Sequence, residues 1–358
     1  MWVNMTEPKS RPANRRQSGA PREQLPVDFA LQGGGSHGAF TWGVLDRLLE
    51  EPWLKIEAIS GTSAGAMNGA VLVSGYMEGG AAGARAALDA YWGRVADAAR
   101  FSPIQRSPLD RMLDRWSLDT SPGYLSMDLM SRLVSPYNMN PFGINPISDI
   151  LNKSIDFAHL GDASIKLFIT ATNVHTGRGR VFRNKEITPD VLLASACLPT
   201  MFQAIEIDGE PYWDGGYVGN PTITPLVRES EAMDVILVQI NPRERRQTPR
   251  TATQILDRLN EISFNSPLMK ELRMIALLRQ AADPGSGEGA RWARMLTHRI
   301  LTDKLSEFGA SSKLNAERPF LIMLKEEGRR AAETFLAEHR DDLGKRSTID
   351  LDILMTEA

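Results

Sequence analysis

What the chain has little of narrows its function first. It holds a single cysteine, Cys197, in 358 residues, which rules out an intramolecular disulfide and makes a reducing compartment the expectation. Neither a Cys/His zinc spacing nor a His-E-x-x-His pair occurs, so no metal and no cofactor is expected. Positive charge is not in excess: 41 Lys and Arg against 44 Asp and Glu give a formal net charge of -3, and nucleic acid is not an expected partner. No apolar run reaches the roughly 18 to 20 residues of a spanning helix, and none near the N-terminus makes a signal-peptide core. The expected location is the cytoplasm, with at most peripheral membrane contact.

What is present reads as an ordinary globular protein, 42% hydrophobic and 24% charged, long enough for one large α/β domain or two smaller ones. Residues 1–26 read as a disordered basic tail, with five Lys or Arg against two Glu for a net +3; it is either simply solvated or a contact for an anionic membrane. From Val27, short β-rich runs alternate with helical ones: VDFALQ, AFTWGVLDRLLEE, IEAIS, AGAMNGAVLVSGY. This alternation predicts an α/β fold with a central, mainly parallel sheet flanked by helices. Further strands are predicted at 165–174, 203–207 and 234–240, the last a nearly continuous apolar run suited to burial on both faces.

Between 100 and 147 the alternation lapses into a segment with six prolines and scattered Trp116, Tyr124, Met127, Met130, Met139 and Phe142. A mobile lid over an acyl site and an insertion packed on its own core need the same composition, and both readings stay open here. Beyond 240, helices are predicted at about 252–280 and 291–308, with ADPGSGEGA between them as a flexible loop. The expected division is a catalytic domain over 27–240 and a helical extension over 241–358 packed on it.

Two glycine motifs follow the first two strands. VDFALQ runs into Gly33-Gly34-Gly35-Ser36-His37-Gly38 just before a helix, an arrangement in which successive amides and the helix N-terminus face one negative oxygen. Alone, the loop also satisfies the dinucleotide fingerprint, with Glu57 about 20 residues on. That acid, however, falls near the start of its strand, whereas a ribose-binding acid belongs at the end. The second strand ends in Gly61-Thr62-Ser63-Ala64-Gly65, a strand-to-helix elbow that would hold Ser63 strained and exposed as a nucleophile.

No histidine is well placed to serve Ser63. His298 and His339 fall within predicted helical runs, His159 and His175 precede the later acids, and His37 belongs to the glycine loop. An acid with suitable surroundings stands at Tyr212-Trp213-Asp214-Gly215-Gly216-Tyr217, where two glycines allow close approach and aromatic neighbours supply a dry surface. The nearby Asp208-Gly209 reads as a hairpin turn.

The order of glycine loop, G-x-S-x-G and D-G-G resembles the patatin-like phospholipase family. The resemblance extends from about Val27 to Ile240 and includes ASACLPTMF and GNPTITPL; the tail SSKLNAERPFLIMLKEEGRRAAETFLAEH is similar to bacterial members. It implies a three-layer α/β fold, lipid acyl hydrolase activity without a metal, a Ser63–Asp214 dyad, and an oxyanion hole from Gly33 to Gly38 with Ala64. Gly61 and Gly65 would shape the elbow, Gly215 and Gly216 the acid motif, and Cys197 would be a buried structural residue. His37 departs from the Arg or Lys usual in that family. The expected partner is a lipid or ester substrate. The competing expectations are a non-catalytic lipid-binding protein on the same fold and a Rossmann-like nucleotide binder.

Overall fold

The computed structural model describes residues 23–245, 247–281 and 287–351. Most of the basic tail lies outside them, but Leu25 and Pro26, assigned above to that tail, already belong to the first strand. β1 (Leu25–Leu31) leads through a 3-10 turn into α1 (Gly38–Leu48), and β2 (Leu54–Gly61) leads into α2 (Ala64–Ala99), which breaks at Gly79 and Gly80. β1 and β2 are parallel with Leu31 opposite Gly61. The two glycine motifs therefore emerge side by side from the same end of the sheet.

The proline-rich stretch is more ordered than its composition suggests. It forms α3 (Pro108–Met112), α4 (Pro122–Leu133), α5 (Pro136–Met139) and α6 (Pro146–Asn152). Each opens on a proline, and the side chain before it, Ser107, Ser121, Ser135 or Asn145, accepts an amide of the first turn. Proline at the first helical position loses no intrahelical bond, so four of the six prolines act as starts, not breaks. Leu118 and Tyr124 are buried, whereas Leu125, Leu129 and Leu133 of α4, with Met112, Phe142 and Ile144, face solvent. The segment is thus only partly packed on its own core.

The chain continues through β3 (Lys166–Asn173), β4 (Gly179–Arg183), α7 (Pro189–Ser195), β5 (Ile205–Ile207), β6 (Glu210–Asp214), α8 (Thr224–Glu229) and β7 (Asp234–Val238). β5 and β6 form a hairpin through Asp208 and Gly209, at φ 54° and 78°, as a tight turn matched to strand twist requires. The sheet order is β5-β6-β3-β2-β1-β7 and onward to a further strand, with β4 also on β3. Its central pairs are parallel, while β4, β5 and β6 are antiparallel additions.

Register explains how β6 reaches the elbow. β2 occupies β3 at residues 166–169 and β4 occupies it at 168–172, so these two take opposite edges. β6 pairs with 171–173, overlapping β4, and so continues the β2 edge beyond Gly61. Asp214, opposite Ala171, arrives head-on at the turn that carries Ser63.

Past 240 the chain forms α9 (Ala252–Ala281), α10 (Gly287–Arg294), β8 (Leu296–Ile300) and α11 (Arg318–His339). The helix expected over 291–308 is corrected: only its first turn is helical, and the rest supplies β8, parallel to β7, followed by a 3-10 turn at Asp303–Glu307. A paired edge on β7 outweighs the helical periodicity read from RWARMLTHRIL, a case of tertiary context overriding local pattern. Residues 282–286 of the expected loop lie outside the described residues, and 287–290 begin α10. The C-terminal third therefore completes the sheet as well as covering it.

Alternation in the strands splits the core in two. Ile236 and Val238 of β7 join Phe29, Leu31, Ile59 and Ile169 under α1, α2 and α11, while Val235 and Leu237 join Ala30, Ala58 and Phe168 under α8, α9 and α10. The result is the expected three-layer α/β arrangement.

Candidate active site

Ser63 sits at φ 54° and ψ -124° between β2 and α2, in left-handed territory costing a side-chain-bearing residue about 1–3 kcal/mol. Neighbours hold it there. Its amide donates to Ser195 Oγ at 2.9 Å, Ser195 Oγ donates to Thr170 O at 2.7 Å, and Thr62 Oγ1 donates to Gly219 O at 2.7 Å. Gly65 is required by space, because a Cβ on it would collide with the Leu31 carbonyl, and one on Gly61 would strike the backbone of Gly65.

Asp214 ends β6, fully buried, and its Oδ1 accepts the Gly216 amide at 2.7 Å. Burial pushes its carboxyl up to about 7, against the downward pull of the Gly216 amide, the nearby Ser63 hydroxyl and the Lys313 charge. A carboxylic acid is thereby brought near neutral pH, where a general base is most effective. A Cβ on Gly215 would collide with Thr170 O and one on Gly216 with the Phe264 ring. The two glycines let the chain turn between the elbow and α9.

The glycine loop lies directly over the serine. A Cβ on Gly33 would come within 2.6 Å of Ser63 Cβ. The Gly33 amide is already donated to Asn220 Oδ1 at 2.6 Å, and its carbonyl accepts Asn241 Nδ2 at 2.7 Å. His37 and Gly38 amides turn back into the 3-10 turn, to Gly34 O and to Gly35 O and Ser36 O. The Gly34 and Gly35 amides have no such partner among the described residues, and the Ala64 amide opens α2, where first-turn amides lack helical acceptors. Of the expected oxyanion set, the Gly33, His37 and Gly38 amides are engaged, while those of Gly34, Gly35, Ser36 and Ala64 have no acceptor among the described residues.

A family model for patatin-like phospholipase matches residues 29–227, more than half the chain and spanning the loop, the elbow and the acid. The chain belongs to the patatin-like phospholipase family. No curated protein sequence matches it. The solved structure of VipD from Legionella pneumophila is similar to it at 15% identity and TM-score 0.42, over 89% of this chain and 67% of VipD, a likeness too distant to say what this chain does.

Three of the five histidines, His37, His159 and His175, lie within the patatin-like match, and His298 and His339 lie beyond it. His298 stands in β8, not in a helix, fully buried with Nε2 2.9 Å from Asp234 Oδ1. His159 pairs with Asp156, His175 with Glu210 and His339 with Asp342. His37 is buried with Nε2 on Ser312 Oγ at 2.7 Å and Nδ1 without a partner. Its ring packs edge-on to Phe308 and Phe320, so it faces the C-terminal layer and is not a donor to the loop's cradle. Burial, with help from the Lys313 and Arg245 charges, pushes it down to about 3, leaving it neutral. Glu57 lies within β2 beside Lys55 and Lys166, away from the strand end where a ribose would sit. Cys197 is buried, its thiol pushed up to about 12 by burial and the nearby Asp214.

Several supports escaped the sequence reading. Asn220 and Ser195 lie in GNPTITPL and ASACLPTMF, segments noted only as resembling the family, so their polar residues were the available signal. Gln32 carried none; its Oε1 accepts the amides of Ile240 and Asn241 at 2.9 and 2.8 Å, tying the end of β1 to the end of β7. A cleft of about 870 Å³ lined by Ile240, Asn241, Arg245, Asp257 and Phe308 includes neither Ser63, Asp214 nor any residue of the glycine loop. It is therefore not taken as the acyl site.

Proposed function

We propose that the protein is a serine lipid acyl hydrolase, of phospholipase A, lysophospholipase or esterase type, working through a Ser63–Asp214 dyad. The observation that carries this reading is an elbow serine at positive φ set beside a carboxyl that burial pushes up to about 7. Asp214 takes the Ser63 proton as Oγ attacks the ester carbonyl, and the developing oxyanion is held by the amides of Gly34, Gly35 and Ala64. Asp214 then returns the proton to the leaving alcohol, and the acyl-serine is released when Asp214 activates water. Histidine is unnecessary when the carboxylate itself is desolvated enough to act as base.

The lipid part of the reading rests on exposed apolar helix faces, one of them on the helix that packs against the acid motif. α4 presents Leu125, Leu129 and Leu133 to solvent, and the first half of α9 presents Ile255, Leu256, Leu259 and Ile262. Tyr124 of α4 lies within electrostatic range of Asp257 in α9. Phe264, further along α9, packs on Tyr217 with ring centroids 5.0 Å apart, next to Asp214. Among the described residues no helix is long and apolar enough to cross a membrane, and exposed apolar stripes of this kind suit peripheral contact with a lipid surface. The buried, unpaired Cys197 supports a cytoplasmic setting.

The test is active-site labelling with a fluorophosphonate, located by mass spectrometry, alongside turnover of p-nitrophenyl esters and of mixed phospholipid vesicles. Label on Ser63 and loss of turnover in folded Ser63→Ala and Asp214→Asn are expected. Full turnover in either variant would falsify the dyad.

A further inference from the structure

A 3-10 turn outside the matched region, Ala310–Leu314, grips the glycine loop at three points. Ser312 Oγ meets His37 Nε2 at 2.7 Å. The Lys313 carbonyl fills the space beside Gly35, where a Cβ would collide with it and where φ is +59°. Lys313 Nζ donates to Asn241 Oδ1 at 2.7 Å, and Asn241 Nδ2 donates in turn to Gly33 O at 2.7 Å.

The third contact has a direction. Gly33 O and the Gly34 amide belong to one planar peptide, so a donor on that oxygen strengthens the amide on its other side. An ammonium on Asn241 strengthens the donor in its turn. The chain of bonds thus runs from Lys313 through Asn241 and the Gly33–Gly34 peptide to one of the amides proposed to hold the oxyanion. Lys313 makes no ion pair among the described residues; its hydrogen-bond partner is neutral. Its charged surroundings are Glu261, Asp257 and Arg245 from the α9 side and Asp214 from the dyad, and Arg245 is itself paired with Glu261 at 2.6 Å. His37, the remaining titratable group against this turn, is neutral, so Lys313 is the positive charge bonded into the loop.

We propose that Lys313 is a positioning residue of the ester-hydrolysing site, its ammonium polarising the Gly33–Gly34 peptide through Asn241. This rests on the Ser63–Asp214 reading above and extends it to a segment beyond residues 29–227. It also gives His37 a role: it anchors the turn that brings the charge in. Burial works against the Lys313 ammonium, so removing it relieves a cost of folding while leaving Asn241 Oδ1 without its donor, two effects of opposite sign.

The experiment measures kcat, KM and the pH profile of a soluble p-nitrophenyl ester with full-length wild type, Lys313→Met, Lys313→Arg, Asn241→Leu and the Lys313→Met/Asn241→Leu double variant, with Ser63→Ala as the blank. Lys313→Met should lower kcat about tenfold, a fraction of the loss of a whole oxyanion donor, with KM little changed. Its Tm should change little, the two effects offsetting each other. The acid limb of kcat/KM should move up by about half a pH unit, because a nearby cation favours the ionised carboxylate. The groups that face Asp214 in that titration are Lys313, Cys197 and Tyr217, and neither of the latter two is altered. Lys313→Arg should recover part of kcat, and the double variant should be no slower than Asn241→Leu.

Unchanged kcat and pH profile in Lys313→Met, with turnover still dependent on Ser63, would overturn this proposal and leave the dyad standing. A kcat loss that tracks a fall in Tm and is not eased by Arg would overturn it in favour of a structural role. If Lys313→Met fails to fold, additive losses in an Arg-based cycle with Asn241→Leu would overturn it, and non-additive ones support it. Absence of Ser63-dependent turnover in wild type would overturn the esterase reading and this one with it.

Discussion

Replacing Asp214 with Asn should stabilise the protein at pH 8 while ending turnover. The carboxyl is raised from 3.8 to about 7, with burial the largest cause, and a shift of roughly three units corresponds to about 4 kcal/mol. The sign follows from which state releases its proton first. The unfolded chain ionises near pH 4, the folded one near 7, so this group's contribution to stability is whole below about pH 4 and is lost as pH rises through about 7. Asn keeps an oxygen for the Gly216 amide and an NH2 group toward Ser63, and carries no charge to desolvate. Denaturant unfolding of both proteins at pH 5 and pH 8 measures the effect. The stability difference in favour of the Asp214→Asn variant should grow by about 2–3 kcal/mol between those pH values, most of it below pH 7. Over the same interval wild-type kcat/KM should rise as the base ionises. A pH-independent difference, or an activity limb far from 7, would refute the claim that burial of this carboxylate sets both.

Asp28 offers a comparison away from the site: it is buried in β1, bonded to Ser230 Oγ at 2.6 Å, and pushed up to about 8, chiefly by burial. Asp28→Asn should remove a loss of stability that wild type shows as pH rises through about 8, with kcat unaltered, as pH-dependent melting and ester turnover will show. Gly33→Ala would drive a methyl into Thr62 O and Ser63 Cβ and should lower kcat by about a hundredfold or more in ester assays, comparable to losing an oxyanion donor. Leu125→Asp with Leu129→Asp should lower turnover on phospholipid vesicles by about tenfold more than on a soluble ester, since surface burial of apolar side chains is what the vesicle adds; equal effects on both substrates would remove α4 from lipid contact.

How much of this was legible depended on whether the signal was local. The β1 and β2 units were, because strand, glycine turn and helix are contiguous in sequence, and so was the Asp208-Gly209 hairpin. β8 was not: LTHRI alternates too briefly to declare a strand, and only the unpaired edge of β7, from residues 234–238, makes it one. The same holds at the site. Ser63, Asp214 and the glycines announced themselves through backbone requirements at fixed spacing, whereas Asn220, Asn241, Gln32 and Lys313 act by reaching across the fold, and single polar residues carry no periodicity to betray them.

That division follows from what the chemistry asks of each group. A serine at positive φ needs glycines within two residues, since the clash to be avoided is with adjacent backbone, and this writes a short motif. A glycine loop aimed at an oxyanion has no side chains of its own to fix it, and three glycines in sequence lose much conformational entropy on ordering. Its stiffness must come from elsewhere: Asn220 on the Gly33 amide, Asn241 on the Gly33 carbonyl, Lys313 against Gly35 and Ser312 on His37. Two of those four contacts come from a turn more than 80 residues beyond the family match, which ends at 227. A chain cut at the end of β7 would retain the dyad and lose β8, Lys313 and the grip on His37. Such a truncation should therefore lose activity even where Ser63 and Asp214 are intact.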